Sequence, residues 1–394
     1  NPKDLEFFQK VQEIPLNQAK ISAFGSTRKA GIKAEQDPNI KALLEAETSV
    51  VAIVGKTWDF HVTLALKTSL EENLNMIRDS VRFLKDRGKE VVYDAEHFFD
   101  GFRANPNYAL ETLKAASSAG ADWIVLCDTN GGMLPQEVEQ VLILLKGKID
   151  TPLGIHAHND GELAVANSLT AVGCGAVQVQ GTINGFGERC GNTNLCSVIP
   201  NLQLKMGRRC LSNESLRRLT EVSRYVSEIA NMTPLGSQPF VGSSAFAHKG
   251  GLHVSAILKD PTTYEHLEPE LVGNTRRVLV SELAGASNIS YKAQEFGLDL
   301  NKDTESTRRL SSEIKELEYR GYQFEGAEAS LELLLRRGLE QYKEFFILES
   351  LKILVEKRPA NGRGEEIINS EAMIKLKVGD QVMHTAAEGD GPVN

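Results

Sequence analysis

Gly154-Ile155-His156-Ala157-His158-Asn159-Asp160 opens the segment that decides the fold. Gly181-Thr182-Ile183-Asn184-Gly185-Phe186-Gly187-Glu188-Arg189-Cys190-Gly191-Asn192 closes it, one helix later. The first stretch reads as a short buried strand. Side chains alternate along a strand, so His156 and His158 share a face, roughly 7 Å apart by the rise per residue. Two imidazoles so placed can converge on one divalent ion. Asp160 suits the N-cap of a helix over 162–172 that Gly173 ends. A second strand over 176–180 runs into the glycine-rich loop, where Asn184, Glu188, Arg189 and Asn192 gather. Glycines at that density let backbone approach a ligand closely, and Asn192 offers a neutral carbonyl oxygen as a third ligand. Alone, a His-x-His pair is more often structural and a glycine loop is commonly a plain turn. Their occurrence at successive strand ends is what points to a metal.

Outward from this segment, strand and helix alternate. Strands are expected at 21–24, 50–54, 91–96 and 123–126, about thirty residues apart, with helices between them. Ser69 and Glu72 form a capping box, and Leu70, Leu74, Ile77, Val81 and Leu84 make one apolar helix face. That rhythm is the βαβ signature of a parallel sheet. Polar residues gather at the strand C-terminal ends, where a (β/α)8 barrel builds its active site. A doubly wound sheet is the alternative, but no Gly-x-Gly-x-x-Gly dinucleotide turn is present. The pattern contains six strands, not eight.

The chain is too long for one compact core, so two or more domains are expected. A formal net charge of -9 argues against nucleic acid or an anionic membrane as the main partner. No apolar run reaches transmembrane length. The five cysteines form no Cys-x-x-Cys pair and are odd in number, which fits free thiols in a reducing cytoplasm. Cys190 is expected to be a small buried hydrophobe.

His-x-His-Asn-Asp followed by Gly-x-Gly-Glu-Arg-x-Gly-Asn resembles the acyl-CoA-condensing metalloenzymes that include the 2-isopropylmalate, homocitrate and citramalate synthases. The resemblance implies an α/β fold: a (β/α)8 TIM barrel over 1–203, helical linker subdomains over 204–371 and the start of a regulatory domain over 372–394. It implies that His156 and His158, with Asn192, bind Mg2+, Mn2+ or Zn2+. It implies Glu96 as the base, or as the residue that orients it, and Thr129 as the partner of a 2-oxo acid carboxylate. Phe246-Ala247-His248-Lys249-Gly250-Gly251-Leu252-His253 and Thr263-Tyr264-Glu265 are similar to the linker subdomain of the same enzymes. There His253 and Tyr264 would act near acetyl-CoA in the barrel of a partner subunit, which implies a homodimer with shared active sites. Glu188 and Arg189 are expected to pair with each other.

The runs Gly55-Lys56-Thr57-Trp58-Asp59-Phe60-His61, Tyr93-Asp94-Ala95-Glu96-His97-Phe98-Phe99-Asp100-Gly101 and Leu126-Cys127-Asp128-Thr129-Asn130-Gly131-Gly132 look most like the citramalate-forming branch. The implied substrates are pyruvate and acetyl-CoA, in the cytoplasm. A larger 2-oxo acid is the alternative acceptor, a 3-hydroxy-3-methylglutaryl-CoA type lyase is the reverse chemistry, and a non-catalytic amino-acid-binding regulator is the reading from another class. The family's first strand carries an Arg-Asp-Gly segment with a metal-binding aspartate. This sequence lacks it, so these residues by themselves are expected to form an incomplete metal shell and to be inactive. The segment is expected to have been lost from the N-terminus.

Past about residue 204 the βα rhythm stops. Helices are expected at 214–230, 303–317 and 326–338, strands at 345–355 and 372–383, and a charged connection at 357–366.

Overall fold

A computed structural model describes residues 2–280, 286–300, 305–359 and 366–389. The chain forms two units, one of Asn1–Ala247 with Glu265–Arg277, the other of His248–Tyr264 with Val278–Asn394.

In the first unit six parallel strands pair in sequence order: β1 (Ser22–Ser26), β2 (Val50–Lys56), β3 (Glu90–Glu96), β4 (Trp123–Asp128), β5 (Leu153–Ala157) and β6 (Gln178–Gln180). β-branched runs such as Val50-Val51-Ala52-Ile53-Val54 suit a sheet covered on its faces. Alternation then sorts the side chains. Ile53, Tyr93, Ile124 and Ile155 pack outward against Ile77, Val81, Leu84, Leu113, Val138 and Leu142 of the surrounding helices. Each fully buried aliphatic side chain contributes about 1.5–3 kcal/mol. Val50, Ala52, Val92, Val125 and Cys127 form a smaller inner cluster.

The sheet curls strongly. Gln180 of β6 hydrogen-bonds Asp94 of β3 at 2.9 Å, although β4 and β5 lie between them. On a flat sheet three strand spacings would separate these strands by roughly 14 Å. The inner face is thus concave, as a barrel wall requires. Among the described residues, β1 and β6 each pair with a single neighbour.

Local signals at the helix ends are mostly met. Asn105 caps Pro106–Ser118 by accepting from the Tyr108 N–H at 3.2 Å. Ser69 caps Leu70–Lys85 by accepting from the Glu72 N–H, but the Glu72 carboxylate turns to Arg28 and the Gly31 N–H instead of closing the expected box. The expected helix over 214–230 is two helices, Asn213–Leu216 and Leu219–Ile229, interrupted at Arg217 and Arg218.

The second unit packs Gly251–Ile257, Ala286–Glu295, Glu305–Tyr319 and Glu328–Gly338, with Ile289, Leu310, Ile314, Leu331 and Leu335 in its core. The start of the expected helix over 303–317 falls partly outside the described residues. Strands Ile347–Pro359, Glu366–Val378 and Gln381–Gly389 make an antiparallel sheet with the second strand central. The expected single strand over 372–383 is therefore wrong. Its alternation continues through a hairpin, because Val378 pairs with Gln381 across Gly379 and Asp380. Gly379 takes φ +59°, the left-handed value such a two-residue turn needs. The charged connection over 357–366 is shorter than expected, with strand on both sides and 360–365 outside the described residues. No helix among the described residues is long and apolar enough to cross a membrane.

Candidate active site

The parallel βα arrangement puts the C-terminal strand ends on one rim, and the polar residues lie there. His156 is in β5 and His158 directly follows it. Their ring centroids are 5.1 Å apart. The loop after β6 folds back onto this strand end through a bridge between His158 and Asn192. The Asn159 N–H donates to the Gly191 carbonyl at 2.9 Å, and the Asn192 N–H to the Gly185 carbonyl at 3.0 Å. Gly191 is required twice over. Its φ is +94°, and a Cβ there would run into the Gly185 carbonyl.

Three of the expected site residues therefore meet. The Asn192 side chain donates from Nδ2 to the Phe186 carbonyl at 3.1 Å, which turns its Oδ1 to His156 Nε2 at 3.2 Å. Nδ1 of His156 lies 2.7 Å from Oε1 of Gln180. Burial, then the neighbouring His156 and Arg189, lower the pKa of His158 and favour its neutral, ligating form. His158 Nδ1 is buried with no hydrogen-bond partner among the described residues. Two imidazoles and an amide oxygen on one concave face fit a divalent cation as three of its ligands. No group of three His, Cys, Asp or Glu that could hold a metal occurs among the described residues, so the set is imidazole and amide.

The surroundings differ from expectation in three places. Asp160 does not cap the helix, which runs Ala164–Gly173. Asn159 Oδ1 instead accepts from the Ala164 N–H at 3.3 Å. Asp160 is free for Arg189, which grips it with Nε and Nη2 at 2.7 and 2.9 Å and also donates to the Thr129 carbonyl at 2.8 Å. Arg189 thus pairs with Asp160, not with Glu188, and ties the glycine loop to the turn after β4. Cys190 is exposed, not buried; all five cysteines are free thiols.

Glu96 ends β3 on the inner face and pairs with the Lys56 ammonium at the end of β2. The Thr57 hydroxyl donates to the Glu96 carbonyl at 2.5 Å. Thr129 Oγ1 accepts from the His97 N–H at 2.8 Å, which leaves its hydroxyl hydrogen for another acceptor. His97 sits in left-handed backbone, φ 55°, and its Nδ1 lies 3.2 Å from Asp100, which also accepts from Asn130 at 3.0 Å. Trp58, His61 and His97 cluster beside these groups: Trp58 stacks on His61, and the His97 ring meets His61 edge to face with centroids 4.3 Å apart. Burial, then His97, lowers the His61 pKa. Asp128, buried with its pKa raised by that burial, anchors the turn by accepting from the Gly132 and Met133 N–H groups at 3.2 Å.

His253 and Tyr264 belong to the second unit. His253 is in Gly251–Ile257 and Tyr264 follows the turn Pro261–Thr263. Their rings stack at 4.2 Å, and Tyr264 is half exposed.

Sequence reasoning missed Gln180, Lys56 and Asp94 as partners of the site. Strand alternation puts all three on the inner face, but only the register shows that Gln180 is level with His156, and Lys56 with Glu96.

The HMGL-like family profile matches residues 1–226, and that of the homocitrate synthase post-HMGL domain-like family matches 240–321. The chain is 57% identical over 394 residues to the (R)-citramalate synthase of Geobacter sulfurreducens, covering 100% of this chain and 74% of that protein. It is 53% identical to that of Aquifex aeolicus, with the same two coverages. The 2-isopropylmalate synthase of Methanocaldococcus jannaschii is 33% identical over 86% of this chain and 63% of that protein. The HMG-CoA lyase of Bacillus subtilis superposes with a TM-score of 0.50 at 18% identity, over 59% of this chain and 78% of that one, a likeness of fold alone. With a family profile over more than half its length and relatives this similar over all of it, the chain belongs to the HMGL-like family, in the group of the (R)-citramalate synthases.

Proposed function

We propose that the protein condenses acetyl-CoA with pyruvate and hydrolyses the thioester, giving (R)-citramalate and CoA. The observation that carries this reading is the identity of 57% over the whole chain to a protein named for that product. The His156, His158 and Asn192 cluster is its physical support. A divalent cation held by these three residues would supply a Lewis acid for a 2-oxo acid. Thr129, its acceptor role met by the His97 N–H, donates its hydroxyl proton to the substrate carboxylate. Glu96, oriented by Lys56, takes the methyl proton of acetyl-CoA or positions the group that does.

His253 and Tyr264 are the donors for the thioester oxygen, supplied by the second unit of a partner subunit, so the working form is a homodimer. The reaction is placed in the cytoplasm, in isoleucine synthesis. The divisions 1–203, 204–371 and 372–394 are the barrel, the linker and the start of a regulatory domain. Chiral analysis of the product formed from acetyl-CoA, pyruvate and Mn2+ tests the reading. (R)-citramalate is expected from protein that carries the Arg-Asp-Gly segment; another product, or none, from that protein overturns it.

A further inference from the structure

Asp94 and Gln180 have no part in the reaction as written, yet they form a chain that ends on the metal-binding histidine. Asp94 is 6% exposed on the inner face of β3. Its Oδ1 accepts from Gln180 Nε2 at 2.9 Å. On the other side of the same amide, Gln180 Oε1 lies 2.7 Å from His156 Nδ1. Asn192 then faces Nε2 of that ring at 3.2 Å.

Hydrogen-bond chemistry gives this chain a direction. An ionised carboxylate can only accept, so the Gln180 NH2 must face Asp94. The amide is thereby fixed with its carbonyl oxygen toward His156, and a carbonyl needs a donor. His156 must then carry its proton on Nδ1, which leaves a lone pair on Nε2. That lone pair faces Asn192 Oδ1, which also bears lone pairs because Asn192 Nδ2 is committed to the Phe186 carbonyl at 3.1 Å. Two acceptors aimed at one place repel each other unless a cation lies with them.

We propose that Asp94 and Gln180 are positioning residues that hold His156 as its Nδ1–H tautomer, so that its Nε2 lone pair and the Asn192 carbonyl are presented together to the divalent cation. This rests on the reading of His156 and Asn192 as cation ligands. The pair deepens that reading by naming what makes the site selective for a cation over a hydrogen-bond donor of the protein itself. Carboxylate and amide partners behind metal-binding histidines commonly matter about 10–100-fold in metal affinity.

The test uses the purified protein, made metal-free with a chelator, at a pH where the imidazoles are neutral. Nitrogen-15 spectra of histidine-labelled protein report the tautomer of His156, assigned by the resonance lost in His156→Gln. Nδ1–H is expected in the unsubstituted protein, and a shift toward the Nε2–H form or a mixture in Asp94→Asn and Gln180→Met. Mn2+ titration by calorimetry should show affinity at least about tenfold weaker in both variants, and no further loss in the double variant, because both act through one chain. An Nε2–H tautomer in the unsubstituted protein overturns the inference without recourse to any variant. Unchanged tautomer and affinity in the two single variants overturn it as well. The two failures are separable: protein that binds no Mn2+ overturns the cation reading, whereas equal binding by protein and variants overturns only the orienting role.

Discussion

Nε2 of His156 lies 3.2 Å from Oδ1 of Asn192, and the asparagine cannot turn its amide nitrogen to the ring without giving up the Phe186 carbonyl. A histidine on a strand and an asparagine 36 residues later are thus held face to face by a loop whose glycines have no substitute.

The first consequence concerns ligands. His156→Ala and His158→Ala should each lower divalent-cation affinity by about 100-fold or more, with pyruvate turnover falling in parallel. Calorimetric Mn2+ titration checks this. Retained affinity in either variant would remove that histidine from the site.

Gly191→Ala should destabilise the loop without touching a ligand. The added methyl meets the Gly185 carbonyl at a residue with φ +94°. A cost of about 1–3 kcal/mol is expected, read as a lower melting temperature, together with weaker Mn2+ binding because Asn192 follows directly. A melting curve that does not move would show that the loop relaxes freely.

Asp94 makes the stability of the metal-free protein depend on pH. Burial, opposed by the Gln180 hydrogen bond and His156, raises its pKa from 3.8 to about 6. The folded state therefore holds this proton more tightly than the unfolded chain. Stability from this group is full below about pH 4 and is lost as pH rises to about 6, roughly 3 kcal/mol in all. Asp94→Asn should be more stable than the parent above pH 6, and the difference should vanish near pH 4. Chemical unfolding at both pH values measures it; a difference independent of pH would mean the carboxylate is not desolvated.

Glu96→Gln should lower kcat by about 10²–10⁴-fold with little change in the KM for pyruvate, since the lost function is proton transfer or its positioning. Mixing Glu96→Gln with His253→Ala should restore about a quarter of parental activity if each site draws on two subunits of a symmetric dimer. No recovery after subunit exchange would place both residues in one subunit's site.

Much of this was legible in the sequence. The six strands follow from β-branched runs spaced by helices, and the His156, His158 and Asn192 cluster from alternation plus a glycine loop. What failed was local competition between side chains. Asp160 looked like a cap, but Asn159 takes that role and Arg189 claims the aspartate across 29 residues. Gly379 and Asp380 reversed a run whose alternation reads through the turn unbroken. Gln180 was visible as the end of a strand, yet its neighbour across the sheet depends on register, which spacing along the chain does not encode.

The most direct test of the account is thiol release from acetyl-CoA by the protein as isolated, its intact mass recorded, with Mn2+ and pyruvate, 3-methyl-2-oxobutanoate or 2-oxoglutarate in parallel. Release with pyruvate and with neither larger acid is the expected result. Release driven by a larger acid, or none with pyruvate from protein whose mass includes the Arg-Asp-Gly segment, would contradict the proposed reaction.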